Sequence, residues 1–584
     1  MHDIVIRGGT IYDGSGGPGY VADVAVGDGI ITEIGKVAGS ARQEIDAHGA
    51  LVTPGFIDIH THYDGQFLWD DTLDPSFSNG VTTAICGNCG VGFAPVRPEH
   101  RRNLIELMEG VEDIPGIVIE EGLDWNWTSF PDYLARLEQR EFAIDVAAQL
   151  PHAPLRVFVM GDRAFRHEAA TDKDLAEMSR LVVEAMEAGA VGFSGSRILE
   201  HRSINNEYVP GTFAEDRELL ALARAMGSTG KGTFQIAPFG GGADFFGTPA
   251  SRDERLAEHR RFEALTQAAG RPLTYFVHQF HYSPEEWRDL LAATSNAQGR
   301  GLPIYPQVAS RGFTLLMSLD GYHPFRTRPS YLEIAGLPRS ERAAAMREPV
   351  RRAAILSEKP VSLDEAPDKV VWVWTERVSA IIERYFAMRP PWDFEPDQSL
   401  RIGAIADVTG KDPFEVVYDL FAEGDGSNLA ADYSMNYAYG DLRAVREMLL
   451  DTNTVSGLND GGAHLQIVCD AASPTSQLAF WGRDRRRGPT LPLELLVHKM
   501  TGKAAAVYGF KDRGLIETGR RADLNVIDFD HLSSDIPRMA FDLPLGGPRM
   551  LQASTGYLAT MVNGVVTRRN DQDTGARPGR LAKS

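Results

Sequence analysis

Cysteine is scarce: Cys86, Cys89 and Cys469 are the only three in 584 residues. An odd count this small cannot staple so long a chain in the way secreted disulfide frameworks do, and a reducing cytoplasm is the compartment that fits. No run of about 18 apolar residues occurs, which argues against insertion into a bilayer. Basic residues are outnumbered, 59 Lys and Arg against 80 Asp and Glu for a formal charge of −21. That balance repels a phosphate backbone, so no nucleic-acid partner is expected. The opening Met1-His2-Asp3-Ile4-Val5-Ile6 lacks the basic start and apolar stretch of a signal peptide, and no targeting segment is expected. What is present is an ordinary globular composition, 43% hydrophobic and 24% charged, which excludes disorder and fibrous architectures. A prior of about 150 residues per domain sets only an upper bound on domain number, because α/β barrels run past about 250 residues as one unit.

Both ends of the chain read as β. From Asp3 to about Val52 short strand-like runs such as Ile4-Val5-Ile6 and Ala22-Asp23-Val24-Ala25-Val26 are broken by Gly and Asp, with Asp28-Gly29 as a hairpin signal. The texture returns in Leu524-Asn525-Val526-Ile527 and Tyr557 to Val566. Neither end has enough strands to stand alone, so the two are expected to pair in one small sheet domain flanking the middle. The middle alternates helical patterns with short apolar runs. Thr171 and Asp174 resemble a capping box opening a helix from Leu175 through Met186, followed by the strand-like Ala190-Val191-Gly192-Phe193-Ser194. Repeated alternation of this kind predicts a parallel β/α barrel. The expected division is 1–53 and 515–584 for the sheet domain and 54–514 for the barrel. Residues 320–409, with Trp372, Trp374 and Trp392, break the rhythm as a long insertion or lid.

Three segments carry chemistry. In Phe56-Ile57-Asp58-Ile59-His60-Thr61-His62 the histidines two apart share a strand face, as two imidazoles on one metal must, although two unrelated strand histidines fit a bare HxH equally well. Their place at the end of an apolar strand is the catalytic face of a barrel. Cys86-Gly87-Asn88-Cys89-Gly90 lacks the second cysteine pair of a structural zinc site. It leaves either a soft ligand at the end of a second strand or small buried core cysteines. Ser456-Gly457-Leu458-Asn459-Asp460-Gly461-Gly462-Ala463-His464 puts a carboxylate and an imidazole in a Gly-rich turn. That carboxylate either binds metal and accepts a proton or marks an Asp-Gly turn without chemistry.

In this order, with Gly519-Arg520-Arg521-Ala522-Asp523-Leu524 downstream, the segments resemble the amidohydrolase superfamily and within it the N-acyl-D-amino-acid deacylase branch, over nearly the whole chain. The resemblance implies an α/β fold: a metal-dependent (β/α)8 TIM-type barrel with a small β-sandwich built from both termini. It implies that His60, His62 and Asp460 form one metal site, that Cys89 serves the neighbouring or bridging position, and that Asp460 shuttles the proton. Two departures bear on the metal count. The first of two further histidine ligands aligns with Gln235 and is missing, and the second matches His278, with His281 close enough to leave the register open. Val191-Gly192-Phe193-Ser194-Gly195 offers no bridging lysine. Amide oxygen is a poorer zinc ligand than imidazole, so one zinc ion is expected rather than two.

His152 and Arg311, each following an apparent strand, and His464 are the candidate substrate contacts, an arginine being suited to a carboxylate. Arg483-Asp484-Arg485-Arg486-Arg487 reads as a solvated loop or the seat of an anionic substrate tail. The expected activity is hydrolysis of the carbon-nitrogen amide bond of an N-acyl amino acid or related small molecule by metal-activated water. Competing readings are a cyclic amide or lactone hydrolase on the same site, a catalytically inactive barrel serving as a binding or scaffold protein, and a redox protein using Cys86 and Cys89. Homo-oligomers are common among soluble enzymes, but no stretch identifies an interface.

Overall fold

The computed structural model describes residues 1–242 and 249–583. Eight parallel strands form one sheet in which each lies beside its predecessor in the chain. They are β1 (Phe56–Asp58), β2 (Val81–Cys86), β3 (Asp145–Pro151), β4 (Gly192–Ser196), β5 (Thr233–Ala237), β6 (Leu273–Phe276), β7 (Ile304–Val308) and β8 (Val455–Ser456). Closure comes from the segments just beyond β1 and β8: Thr61 bridges Gly461 in parallel, His62 N donates to Gly461 O at 2.7 Å and Asp460 N to His60 O at 3.1 Å. The backbone that closes the barrel is thus the backbone that carries its histidines and its aspartate.

The crossover helices follow the rules that predicted them. Thr171 and Asp174 form a reciprocal capping box on the helix Asp172–Ala188, which ends at Gly189 with φ +118°. Met178, Leu181, Val182, Ala185 and Met186 are its buried apolar face, at the three-and-four spacing that packs a helix on a sheet. At about 1.5–3 kcal/mol for each large apolar side chain buried, that face outweighs the weak intrinsic preference of the helix. Among the described residues no helix is long and apolar enough to cross a membrane.

Between β7 and β8 the chain leaves the barrel. Phe313–Met317, Phe386–Met388 and Leu429–Met435 form a three-stranded antiparallel sheet with Leu429–Met435 in the centre, and the expected insertion 320–409 lies inside this excursion. Its helix Lys369–Ala380 is capped by Asp368, whose carboxylate accepts from Val370 N and Val371 N. Within the arginine run Arg485 is buried, while Arg486 and Arg487 are exposed. Arg485 pairs with buried Glu395 at 2.9 Å and Arg487 donates to Pro396 O at 3.1 Å, so these side chains bind the excursion to the barrel.

The two ends of the chain meet as expected. Leu51–Pro54 pairs antiparallel with Leu524–Ile527 inside a continuous nine-stranded sheet. The long strand His2–Ile11 shifts register against its hairpin partner between Ile6 and Gly9, so its first half pairs with Ala41–Asp46 and its second with Leu51–Pro54. Ile4, Ile6, Val24, Val26, Leu524, Val526 and Met561 share one core from both termini. Beneath the barrel, Asp145 at the start of β3 pairs with Arg513 at 2.6 Å and Arg521 at 2.8 Å, while Arg521 also pairs with Asp523 at 3.1 Å. The Gly519–Leu524 segment is therefore a structural joint between sheet domain and barrel.

Candidate metal centre

His60 and His62 follow β1 at the C-terminal end of the barrel, both buried. Cys89 follows β2, and candidate ligand atoms of these three residues all lie within 4.8 Å of one another. Cys89 Sγ is 3.4 Å from His60 Nε2, and Asp460 Oδ1, from the turn after β8, is 3.5 Å from the same nitrogen. His60 Nδ1 faces Gln307 Oε1 at 2.9 Å. Donating that proton fixes the tautomer that leaves Nε2 with a free lone pair, as the outer partner of a metal-bound histidine does.

The Cys89 turn is held from several sides. Gln235 Oε1 on β5 accepts from Cys89 N at 3.0 Å, and Ser194 Oγ on β4 accepts from Gly90 N at 3.1 Å while donating to Gly87 O. A Cβ at Gly87, whose φ is +78°, would lie 2.2 Å from Gln149 O, so glycine is required there. Cys86 turns elsewhere, with Sγ 3.9 Å from Tyr133 OH, and all three cysteines are free. On the opposing turn Leu458, Asp460 and His464 all hold positive φ, between +47° and +58°. Left-handed non-glycine residues clustered in this way are backbone strain that the surrounding structure maintains.

A cavity of about 110 Å³ opens onto this group. His62, Cys89, Asp460, His278, His464, Glu112 and His201 line it, with an apolar wall of Phe276, Phe313, Leu315, Met435 and Ile467 and, from the inserted helix, Trp374 and Arg377. His278 is buried and neither ring nitrogen has a hydrogen-bond partner. His281 instead bonds Tyr433 O at 2.9 Å through Nε2, so it is His278 that faces the site. Gln235 lies at the centre through its bond to Cys89 N.

Electrostatically the site calls for a cation. Burial holds His60 and His464 down at about 4 and His278 at about 3, and holds His62 well below the usual range, so these imidazoles are neutral donors at pH 7. Burial, and then the charges of Glu112 and Asp460, push the Cys89 thiol up, and burial raises the Asp460 and Glu112 carboxyls in the same direction. Arg377 is the one lysine or arginine among the described cavity residues. Neutral imidazoles, a thiol and carboxyls that need a positive charge to ionise are the donor set of a divalent ion such as zinc.

Two expected substrate contacts require correction. His152 Nε2 bonds Glu218 at 2.8 Å beside Arg156, and Arg311 pairs with Asp470 at 2.6 Å and bonds Gln552 at 3.0 Å. Both side chains are buried in these internal contacts and neither is part of the cavity wall. A residue after a strand reaches the catalytic end of the barrel, but the nearest unpaired carboxylate decides which way its side chain turns. Sequence reasoning did not single out Glu112 and His201, which line the cavity. His201 follows β4 closely and its position was a usable signal; Glu112, on a helix that also carries Glu106 and Glu109, offered none.

Residues 43–568 match the model of the amidohydrolase family. The chain belongs to that family, and it is a barrel hydrolase of the amidohydrolase type. The N-acyl-D-aspartate deacylase of Alcaligenes xylosoxydans xylosoxydans is 27% identical over 587 residues, covering 99% of this chain and 94% of that one. A D-aminoacylase structure, described as having a binuclear metal center with one-metal activation and second-metal attenuation, is 23% identical with a TM-score of 0.66 and full coverage of both chains. The N-acyl-D-glutamate deacylase of Bordetella bronchiseptica, solved with zinc and a phosphonate mimic of the tetrahedral intermediate, is 24% identical with a TM-score of 0.64, again over both chains.

Proposed function

We propose that this chain hydrolyses the amide bond of an N-acyl amino acid and that it works with one zinc ion, held by His60, His62, Cys89 and Asp460 with His278 beside them. The observation that carries the reading is the convergence of Cys89 Sγ and Asp460 Oδ1 on His60 Nε2, at 3.4 and 3.5 Å. When bound, the ion lowers the pKa of a water toward neutrality and polarises the amide carbonyl. Asp460 is placed to take the proton of the attacking water and to hand it to the departing nitrogen, so that it acts in turn as base and acid. His464, on the cavity wall, is positioned to donate to the carbonyl oxygen as charge develops there. The apolar wall accepts the acyl group and excludes water, and Arg377 on the inserted helix meets the carboxylate of the amino acid. The bond of Gln235 to Cys89 N supports a single ion, because it ties to the backbone the carboxamide that stands where the family places an imidazole.

The test is elemental analysis of the purified chain beside a His60→Ala, His62→Ala variant, coupled to an assay for free amine released from N-acyl amino acids of both hands. About one zinc per chain, lost in the variant together with turnover, is the expected result. A chain that takes up no metal under replete conditions and releases no amine overturns it.

A further inference from the structure

Glu112 ends the helix Arg101–Glu112, whose other buried side chains, Leu104, Ile105, Leu107, Met108 and Val111, are all apolar. A carboxylate on that stripe needs a reason, since burying a charged group without a partner costs several kcal/mol. The surrounding structure holds it in place. Glu112 O accepts from His464 N, the next residue Asp113 sits at φ +55°, and the Asp113 carboxylate accepts from Tyr322 OH at 2.8 Å and from Gln466 N at 3.4 Å. The helix end is thereby pinned to the turn that carries Asp460 and His464.

Its oxygens face two imidazoles. Oε1 is 3.3 Å from His62 Nδ1 and Oε2 is 3.8 Å from His464 Nε2. Although His62 Nδ1 is this close and fully buried, it makes no hydrogen bond to Glu112 or to any other group. Two ligand-type atoms that lie this close without bonding each other leave both lone pairs open to a cation between them. Ligands about 2.0–2.1 Å from a tetrahedral zinc ion stand about 3.3 Å apart, which is the separation found here.

Resting on the reading of this site as a metal centre, we propose that Glu112 is itself a ligand, a carboxylate arm that reaches the ion from the β2–β3 connection on the side of His62. The site thereby gains a strong oxygen donor from a helix outside the eight strands, while Gln235 holds the Cys89 turn.

The experiment compares the native chain, Glu112→Gln, Glu112→His and the His60→Ala, His62→Ala variant, all loaded with zinc or with cobalt(II). Zinc affinity is read by competition with a chelator, and ligand geometry by the cobalt d–d absorption. Glu112→Gln is expected to weaken zinc by about 100-fold and to alter the cobalt band. Glu112→His is expected to regain most of the affinity with a band different from the native one. An unchanged affinity and band in Glu112→Gln overturns the proposal, as does weakened affinity with an unchanged band, which makes Glu112 a positioning residue. If the Gln variant does not fold, Glu112→His decides alone, and a native band there overturns the proposal. Zinc binding by the native chain that is lost in the double-histidine variant but unaffected at position 112 overturns only this inference. No binding by the native chain overturns the functional reading instead.

Discussion

The two ends of the barrel both bury charge, and they do so in opposite ways. Beneath the strands, Asp145 is matched by Arg513 and Arg521 and accepts from Arg580 N at 2.7 Å, so the cluster is electrically complete within the chain. Above them, Asp460, Glu112 and Cys89 face His60, His62 and His278 around a cavity with Arg377 as its one basic wall residue among those described. Buried charges that answer one another act as a joint, and buried carboxyls that meet no cationic side chain among the described residues are poised for a positively charged ligand. The contrast separates structural from chemical polarity without reference to any relative.

The largest effect that tests the contrast belongs to Asp460. Asp460→Asn is expected to cut turnover by about 10³–10⁴-fold, with thermal unfolding of the metal-free chain no lower than native, because the substitution removes a buried acid without breaking a charge pair. Arg311→Met and His152→Gln are expected to retain most turnover per folded molecule. Equal residual rates in all three variants would abolish the distinction between the upper group and its internally paired neighbours.

Arg513→Ala should show the converse. Stripping one partner from the Asp145 cluster is expected to cost about 3–5 kcal/mol in urea unfolding, with turnover per folded molecule unchanged. Metal removal gives an intermediate effect. With zinc at about 100 times its dissociation constant, chelation should lower the unfolding free energy by about 2.7 kcal/mol in the native chain and in Arg513→Ala alike, and leave the His60→Ala, His62→Ala variant unmoved. A chelator effect that vanishes in Arg513→Ala would mean that the two ends are not independent.

The smallest effect lies at the lower end again. Lys499 Nζ is buried against Thr454 O at 2.9 Å and Thr454 Oγ1 at 2.7 Å, just before β8, and burial lowers its pKa to about 7. The folded value lies below the unfolded one, so between pH 7 and about 10 the unfolded chain binds the extra proton and this group makes stability rise with pH. Native protein should therefore gain about 2 kcal/mol relative to Lys499→Met between pH 7 and 9, measured as the difference between their pH profiles. Parallel profiles would refute it.

Much of the candidate site could be read from the chain because barrels bring the ends of their strands together on one face. His60 and His62 two apart after β1, Cys89 in a glycine turn after β2, and Asp460 in a glycine turn after β8 occupy positions that local sequence marks. His152 and Arg311 carry the same mark and serve other contacts, since a position at a strand end does not choose a rotamer. Glu218 and Asp470, distant in sequence, chose for them. The terminal sheet was legible as two half-domains, because neither end has strands enough to bury its apolar residues alone.

The sequence by itself determined the periodicities, the turns and the residue types, and hence an α/β barrel, a sheet shared by the termini and a histidine, cysteine and aspartate group on one face. Tertiary structure alone decided which polar groups face a cavity and which face a counter-charge. That choice depends on atoms brought within about 4 Å across long stretches of chain, where a few ångströms separate an ion pair from a ligand. Glu112 is the clearest case: one acid among several on its helix, and only the packing of that helix against the Asp460 turn brings its carboxylate to the imidazoles.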